Sequence, residues 1–170
     1  MSAVTLRAPE ASDAAAHAAR APSPEIVRMY GGDPTTAAPP SLAASTRWVS
    51  WLADHPFARI IELDGVPVGH VRLHMLVEAD RRARLAIGLF EEVYLGRGIG
   101  RRAIGLTLDH AFGAMGLHRV DLRVLAFNER AIRCYLACGF RHEGTEREAA
   151  LVGEAWHDEW IMGILARDRR

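Results

Sequence analysis

The chain has 170 residues, 49% of them apolar and 25% charged, with 21 basic residues matched by 21 acidic ones. That is the size and composition of one compact domain over 1–170, not of a disordered chain. Zero net charge excludes the basic excess of a dedicated nucleic-acid or membrane-surface binder. No stretch approaches the roughly 20 apolar residues of a membrane span. Met1 to Arg20 lacks the apolar run of a secretion signal, so a cytoplasmic protein is expected.

In chain order, Val4–Arg7 reads as a strand and Ser12–Ala21 as an Ala-rich helix that stops before Pro22. Ser23 can cap a short helix with Pro24 at its first position. Gly31-Gly32-Asp33-Pro34 breaks it. Ser41 can cap a helix to about Asp54, with Trp48, Trp51 and Leu52 on one face. Phe57–Leu63 and Val66–Leu76 read as a hairpin about Asp64-Gly65, a strong turn signal. Glu78–Arg82 is a polar turn, and Leu85–Phe90 is an apolar run suited to a buried strand. A glycine-rich turn then opens a helix from about Gly100 to Met115, with Ile104, Leu108, Ala111 and Phe112 at helical spacing. Val120, Leu122 and Val124 alternate as a strand. Asn128 opens a helix that Gly139 closes, and strands follow at Phe140–Thr145 and Trp156–Leu165. The order is mainly antiparallel strands first, then strand–helix–strand–helix, which predicts one α+β layer structure.

Two segments carry chemistry. Leu95-Gly96-Arg97-Gly98-Ile99-Gly100-Arg101-Arg102 sits between a strand and a helix. Glycines let successive backbone N–H groups converge, because no Cβ blocks the approach. A helix N-terminus adds about half a positive charge. With the arginine forks these make a diphosphate cradle; alone, the loop also reads as a turn that is glycine-rich for packing. A Walker loop needs a Lys, and the chain has none. Gly98-x-Gly100-x-x-Ala103 fits a dinucleotide fingerprint locally, but Asp121 opens its strand where a ribose-binding acid should end one. The second segment is Asn128-Glu129-Arg130-Ala131-Ile132-Arg133-Cys134-Tyr135-Leu136-Ala137-Cys138-Gly139-Phe140. Asn128 is the only Asn in the chain, and it shares a helix face with Tyr135 two turns on. Each also has a structural reading, as an N-cap and as a core aromatic. Cys134 and Cys138, four apart on one helix, are badly placed for a disulfide and pattern with no zinc ligands. They read as small half-buried side chains, and no metal is expected.

Together, Ile87–Ala103 and Asn128–Phe140 resemble the GNAT superfamily of acetyltransferases, in the branch of ribosomal-protein N-terminal acetyltransferases. The likeness spans about Val66–Leu165, and Thr5–Pro9 and His157–Met162 are also similar to that branch. The resemblance implies an α+β fold with a mixed, largely antiparallel central sheet flanked by helices. A splayed fourth and fifth strand would hold acetyl-CoA, the cosubstrate. Leu95, Gly96, Arg97, Gly98, Ile99, Gly100, Arg101 and Arg102 would bind its pyrophosphate, and backbone near Leu89 would pair with its pantetheine arm. Asn128 would hydrogen-bond that arm. Tyr135 would place its hydroxyl near the thioester sulfur as the general acid. Oxyanion donors would come from a bulged fourth strand. The family loop often begins with Gln or Arg, and Leu95 stands there instead.

The base is open among His70, His74, Glu91 and water. Between 141 and 160, Glu143, Glu146, Glu148, Glu154, Asp158 and Glu159 outnumber Arg141 and Arg147. The resemblance places this hairpin beside the acceptor cleft, and the loop with Tyr30 and Asp33 is expected opposite it. A carboxylate-lined mouth suits a small cationic amine such as an aminoglycoside, a polyamine or an amino sugar; a solvated face suits the same residues. Tyr30, Asp33, Glu91 and Asp158 are the candidate acceptor contacts. A protein N-terminus is the alternative acceptor, and a non-catalytic coenzyme A-binding module is a third reading. A homodimer is the assembly expected of such a family.

Overall fold

The computed structural model describes residues 3–169. The strands are β1 (Val4–Arg7), β2 (Phe57–Leu63), β3 (Val66–Val77), β4 (Arg82–Leu89), β5 (Arg119–Leu125), β6 (Arg141–Val152) and β7 (Ala155–Leu165). The helices are α1 (Asp13–Ala18), α2 (Pro24–Met29), α3 (Leu42–Ala53), α4 (Ile99–Phe112) and α5 (Glu129–Ala137). Three helices start as the capping residues dictate. The side chains of Ser23, Ser41 and Asn128 accept hydrogen bonds from the backbone N–H groups of Ile26, Ala44 and Ala131, each relieving one orphan donor of a first turn.

The strands form one sheet in the order β1-β2-β3-β4-β5-β7-β6. Asp64 and Gly65, at φ 52° and 81°, make the tight turn between β2 and β3. Every neighbouring pair is antiparallel except β4 and β5. These run parallel and pair only over Arg82–Arg84 and Arg119–Asp121. Beyond that point β4 stays on β3 while β5 stays on β7, so the sheet divides down its middle.

Period-two side chains assign the two faces. Val71 and Leu73 of β3, Ala83 and Leu85 of β4, and Val120 and Leu122 of β5 are buried with Ile104, Leu108 and Ala111 of α4 in the main core. Each fully buried Leu or Ile there contributes about 1.5–3 kcal/mol. On the other face Leu52 of α3 joins Ala58 and Ile60 of β2 in a smaller cluster, with Trp48 packed against it. α1 lies beside α3, where His17 Nδ1 and Ser45 Oγ are 3.0 Å apart. The polar positions of β3, His70, Arg72 and His74, therefore fall on the α3 side.

Several boundaries differ from expectation. β4 begins at Arg82, not Leu85, because Arg82–Arg84 is the segment that pairs on both edges. α4 stops at Phe112 rather than Met115, with Gly113 as its C-cap. β6 runs on to Val152 instead of ending at Thr145. Two register shifts, between His142 and Gly144 and between Glu146 and Ala150, obscure its alternation. A single 3₁₀ turn, Glu92–Tyr94, separates β4 from the glycine loop. Among the described residues no helix is long and apolar enough to cross a membrane.

Candidate active site

Where β4 leaves β5 a cleft of about 1160 Å³ opens. Leu85–Leu89 forms one wall, and Val124 and Leu125 form the other. The start of α4 closes one end. Tyr30, Trp48, Trp51, His70, Arg72 and His74 lie in the lining contributed by α2, α3 and β3.

The glycine loop is shaped by backbone conformation. Gly96 and Gly98 have φ of 70° and 78°, and an added Cβ would meet nothing within 4 Å at either. The left-handed backbone, not lack of space, demands glycine there. Gly98 caps α4, and the first helical bond runs from the Arg102 N–H to the Gly98 carbonyl, at 3.0 Å. The N–H groups of Ile99, Gly100 and Arg101 precede it and have no carbonyl four residues back to serve. Leu95, Gly96, Gly98, Ile99, Gly100 and Arg101 line the cleft; Arg97 and Arg102 are exposed and do not. Converging N–H groups, the helix dipole and the Arg101 guanidinium fit a pyrophosphate.

On α5, Asn128 Oδ1 accepts from the Ala131 N–H at 3.2 Å, while Nδ2 donates to the Met29 carbonyl at 3.4 Å. Asn128 thus caps α5, ties it to the end of α2, and still borders the cleft. Tyr135 is buried (8% exposed) yet lines the cleft, with its ring edge-on to Phe140 at 5.9 Å between centroids. Burial raises its pKa, and the neighbouring Tyr30, Cys134 and Cys138 push it the same way. The phenol therefore holds its proton at neutral pH.

Leu89 closes the β4 wall. The register of β4 on β3 is unbroken from Leu85 to Leu89, so the expected bulge is absent from this stretch. The irregularity sits on β3, between His74 and Val77, with Met75 at φ 50°. Gly88 replaces a bulge as the special position on β4. A Cβ there would overlap the Tyr30 hydroxyl. Tyr30 closes over β4 from α2. Its side chain is accessible through the cleft, but protein surrounds it and burial raises its pKa.

The acceptor end differs most from expectation. Asp33, Glu91 and Asp158 do not line the cleft. Asp33 caps the turn after α2 by accepting from the Thr35 N–H, at 2.9 Å. Glu91 pairs with Arg20 at 3.2 Å, and Asp158 accepts from the Glu148 N–H at 2.8 Å. Glu143 is held by Arg119, and Glu146 by Arg123 at 2.7 Å. Two of the six carboxylates of this hairpin are thus held by arginines of β5, which lies across β7 from β6. Glu159 is the one carboxylate in the lining among the described residues. His70 stacks on Phe90 and meets Trp48 edge-on. Burial, and then the Arg72 charge, push its pKa down to about 3. The same causes hold His74 at about 4. Both imidazoles are neutral at neutral pH and weakly basic. Arg72 and Gly88 were not singled out from sequence, and Trp51 was read only as part of a helix face. The pattern His70-x-Arg72-x-His74 on an otherwise apolar strand was the available signal.

A family model described as the acetyltransferase (GNAT) domain matches residues 3–141. The spermidine N(1)-acetyltransferase of Escherichia coli K12 is 36% identical over 104 residues, covering 61% of this chain and 50% of that protein. The spermidine N(1)-acetyltransferase of Vibrio cholerae is 32% identical over 98 residues, covering 58% and 56%. The matched stretch thus spans about half the length of these relatives. A crystal structure of spermidine N-acetyltransferase from Vibrio cholerae with CoA and spermine superposes with a TM-score of 0.81 at 24% identity, covering 97% of this chain and 96% of that one. A GNAT-family acetyltransferase from Bacillus anthracis gives a TM-score of 0.81 at 19% identity, covering 96% and 95%. At these identities the structural likeness speaks for the fold.

Proposed function

Because the chain belongs to the GNAT family of acetyltransferase domains, we propose that it transfers the acetyl group of acetyl-CoA to a primary amine. The observation that carries this is the divergence of β4 from β5 into a cleft bounded by a glycine-capped helix and a buried tyrosine. The coenzyme pyrophosphate sits on the N–H groups at the start of α4, with Arg101 beside it. The arm runs along the free edge of β4 toward Leu89, past Asn128. The amine nitrogen attacks the thioester carbonyl, a C–N bond forms, and the C–S bond breaks. The departing thiolate takes the Tyr135 proton, which burial has kept on the phenol, and the phenolate recovers a proton from the one that the acylated nitrogen sheds, through water.

We read the acceptor as a small cationic amine, with polyamines first. The names of the Escherichia coli and Vibrio cholerae relatives support that class, and Glu159 offers one lining carboxylate to a second ammonium group. A protein N-terminus is the second reading; it rests on the sequence resemblance of His157–Met162 alone, and the spermidine acetyltransferase relatives do not support that branch. We read the enzyme as a cytoplasmic homodimer of one domain per chain; light scattering tests the assembly.

Thiol release from acetyl-CoA, measured against polyamines, aminoglycosides, amino sugars and short peptides, tests the proposal. Turnover with spermidine or a similar amine is expected. Turnover with peptides alone would favour the second reading. Tight coenzyme binding without turnover on any amine would leave a coenzyme A-binding module.

A further inference from the structure

An amine acceptor reaches the enzyme as an ammonium ion and attacks as a free amine, so a proton must leave. The acceptor end of the cleft is poor in groups to take it. His70 and His74 are weak bases, and Asp121 is locked to Arg84 at 2.6 Å. Glu159 stands on β7, with β4 and β5 between it and β3.

That end does hold an uncompensated cation. Among the described residues, Arg72 has no carboxylate in ion-pair range. Its Nε is buried without a hydrogen-bond partner. Nη1 lies 3.4 Å from His70 Nε2, and the guanidinium stacks over the Trp51 ring at 4.6 Å. Arg72 lies opposite Ala86 on β4, two residues before Gly88, where the Tyr30 hydroxyl sits. Its charge is therefore directed at the space between Trp51, Tyr30 and the β4 wall.

We propose that Arg72 activates the acceptor through its field: standing beside the bound amine as an unpaired positive charge, it favours the neutral, nucleophilic form. The ammonium gives its first proton to water, the free amine then forms the C–N bond as the C–S bond breaks, and the second proton, shed by the acylated nitrogen, replaces the one that Tyr135 gives the thiolate. A cation beside a desolvated amine is a known means of making it nucleophilic.

The surrounding groups leave this charge standing. Tyr30 faces it from the end of α2, and His70 and His74 from β3; His17 of α1 packs on Trp48, and His55, after α3, on Trp51 and beside His74. Arg84 of β4 and Asp121 of β5 offset each other, and Glu159 lies farther off on β7. Burial lowers the pKa of His17, His70 and His74 and raises that of Tyr30, so these four are uncharged at neutral pH.

The inference rests on the acetyl-transfer reading, and its test separates the two. The pH dependence of kcat reports groups in the bound complex. It would be measured with spermidine for the wild type, Arg72→Met and Arg72→Lys. For Arg72→Met, the acid limb should move up by about one to two pH units, with kcat at pH 7 down about tenfold or more. KM should hold or fall, because a repulsion is gone. Arg72→Lys should restore the wild-type profile. An unmoved limb overturns the proposal. So does a rise in KM at constant kcat confined to amines that carry a carboxylate, which would make Arg72 an anion anchor. Arg72→Gln serves if the Met variant does not fold. If no amine is turned over, the acetyl-transfer reading fails separately. Arg72 is then tested by calorimetry of spermidine binding to the CoA complex in two buffers. Proton release that Arg72→Gln abolishes supports the field. Binding without proton release, or no binding, overturns it.

Discussion

Tyr135 is positioned by its helix and kept protonated by its surroundings. Seven residues after the Asn128 cap, it returns to the same face of α5 and reaches the cleft from a nearly dry position. Tyr135→Phe should lower kcat by ~10²–10⁴-fold, the usual worth of proton-transfer help. The coenzyme dissociation constant should stay within about twofold, since the proposed pyrophosphate cradle is made of α4 backbone N–H groups and Arg101, not of Tyr135; unchanged kcat would remove it from the chemistry. His70 predicts a pH dependence of stability. Histidine titrates near 6.5 in an unfolded chain, while His70 stays neutral in the fold down to about 3. Between those values the unfolded state binds more protons. Stability that is fully present above pH 6.5 is thus lost as pH falls toward 3. Urea midpoints at several pH values should show this slope, and His70→Phe, which keeps a ring against Phe90 and Trp48, should flatten it. Equal slopes would clear His70 of the effect. Asn128 and Tyr135 were legible because their types and spacing are unusual together. Arg72 was not, because an outward polar side chain on a strand looks solvated until the helix covering it is known.

At the scale of elements, the hairpins and caps follow from local chemistry: Asp64-Gly65, Ser23-Pro24, Ser41 and Asn128 all act where their side chains predict. The division between β4 and β5 does not follow from local chemistry. Parallel pairing joins segments separated by a whole helix, and no short pattern records where it stops; the splay was expected only through the family resemblance. The ends of β4 and β6 were misjudged for a related reason. Arginines on β4 and bulges on β6 break the alternation that marks a strand. The contact that sets the β3–β4 spacing is backbone on backbone. A Cβ at Gly69 would overlap the Gly88 carbonyl oxygen and press on the Leu89 Cα. Gly69→Ala should destabilise the protein by about 1–3 kcal/mol, seen as a lower denaturation midpoint, because no flexible side chain can yield. Gly98→Ala should act differently. It meets no atom but adopts φ 78° at a cost of about 1–2 kcal/mol. Recovering that cost by moving the loop should raise KM for acetyl-CoA more than it lowers Tm.

For the whole molecule, the first strand, first helix and second strand are fastened at one arginine. Arg7 donates to Asp13 through both Nη atoms, at 2.8 and 2.6 Å, and to Glu62 through Nε, at 2.6 Å. Asp13 is 4% exposed. Burial alone would raise its pKa, but the bonds from Arg7 and the Glu10 backbone outweigh that and lower it. Its stabilising share is therefore present above the ordinary aspartate range and lost as pH falls through the lowered value. Arg7→Met strands a buried carboxylate and should cost about 3 kcal/mol at pH 7. The loss should shrink in acid, where the carboxyl is protonated. A chain with no lysine makes every such side-chain fastening with arginine or histidine.

The tryptophans give the molecule an optical readout of its own. Two of its four tryptophans, Trp48 and Trp51, line the cleft, and Trp51 carries the Arg72 guanidinium against its ring. An amine bound beside Arg72, as proposed, would alter the charge and hydration over an indole. On the proposed reading, acceptor arrival should therefore change ultraviolet emission, measured in a stopped-flow mixer before any bond is made, without dye, label or coupling enzyme.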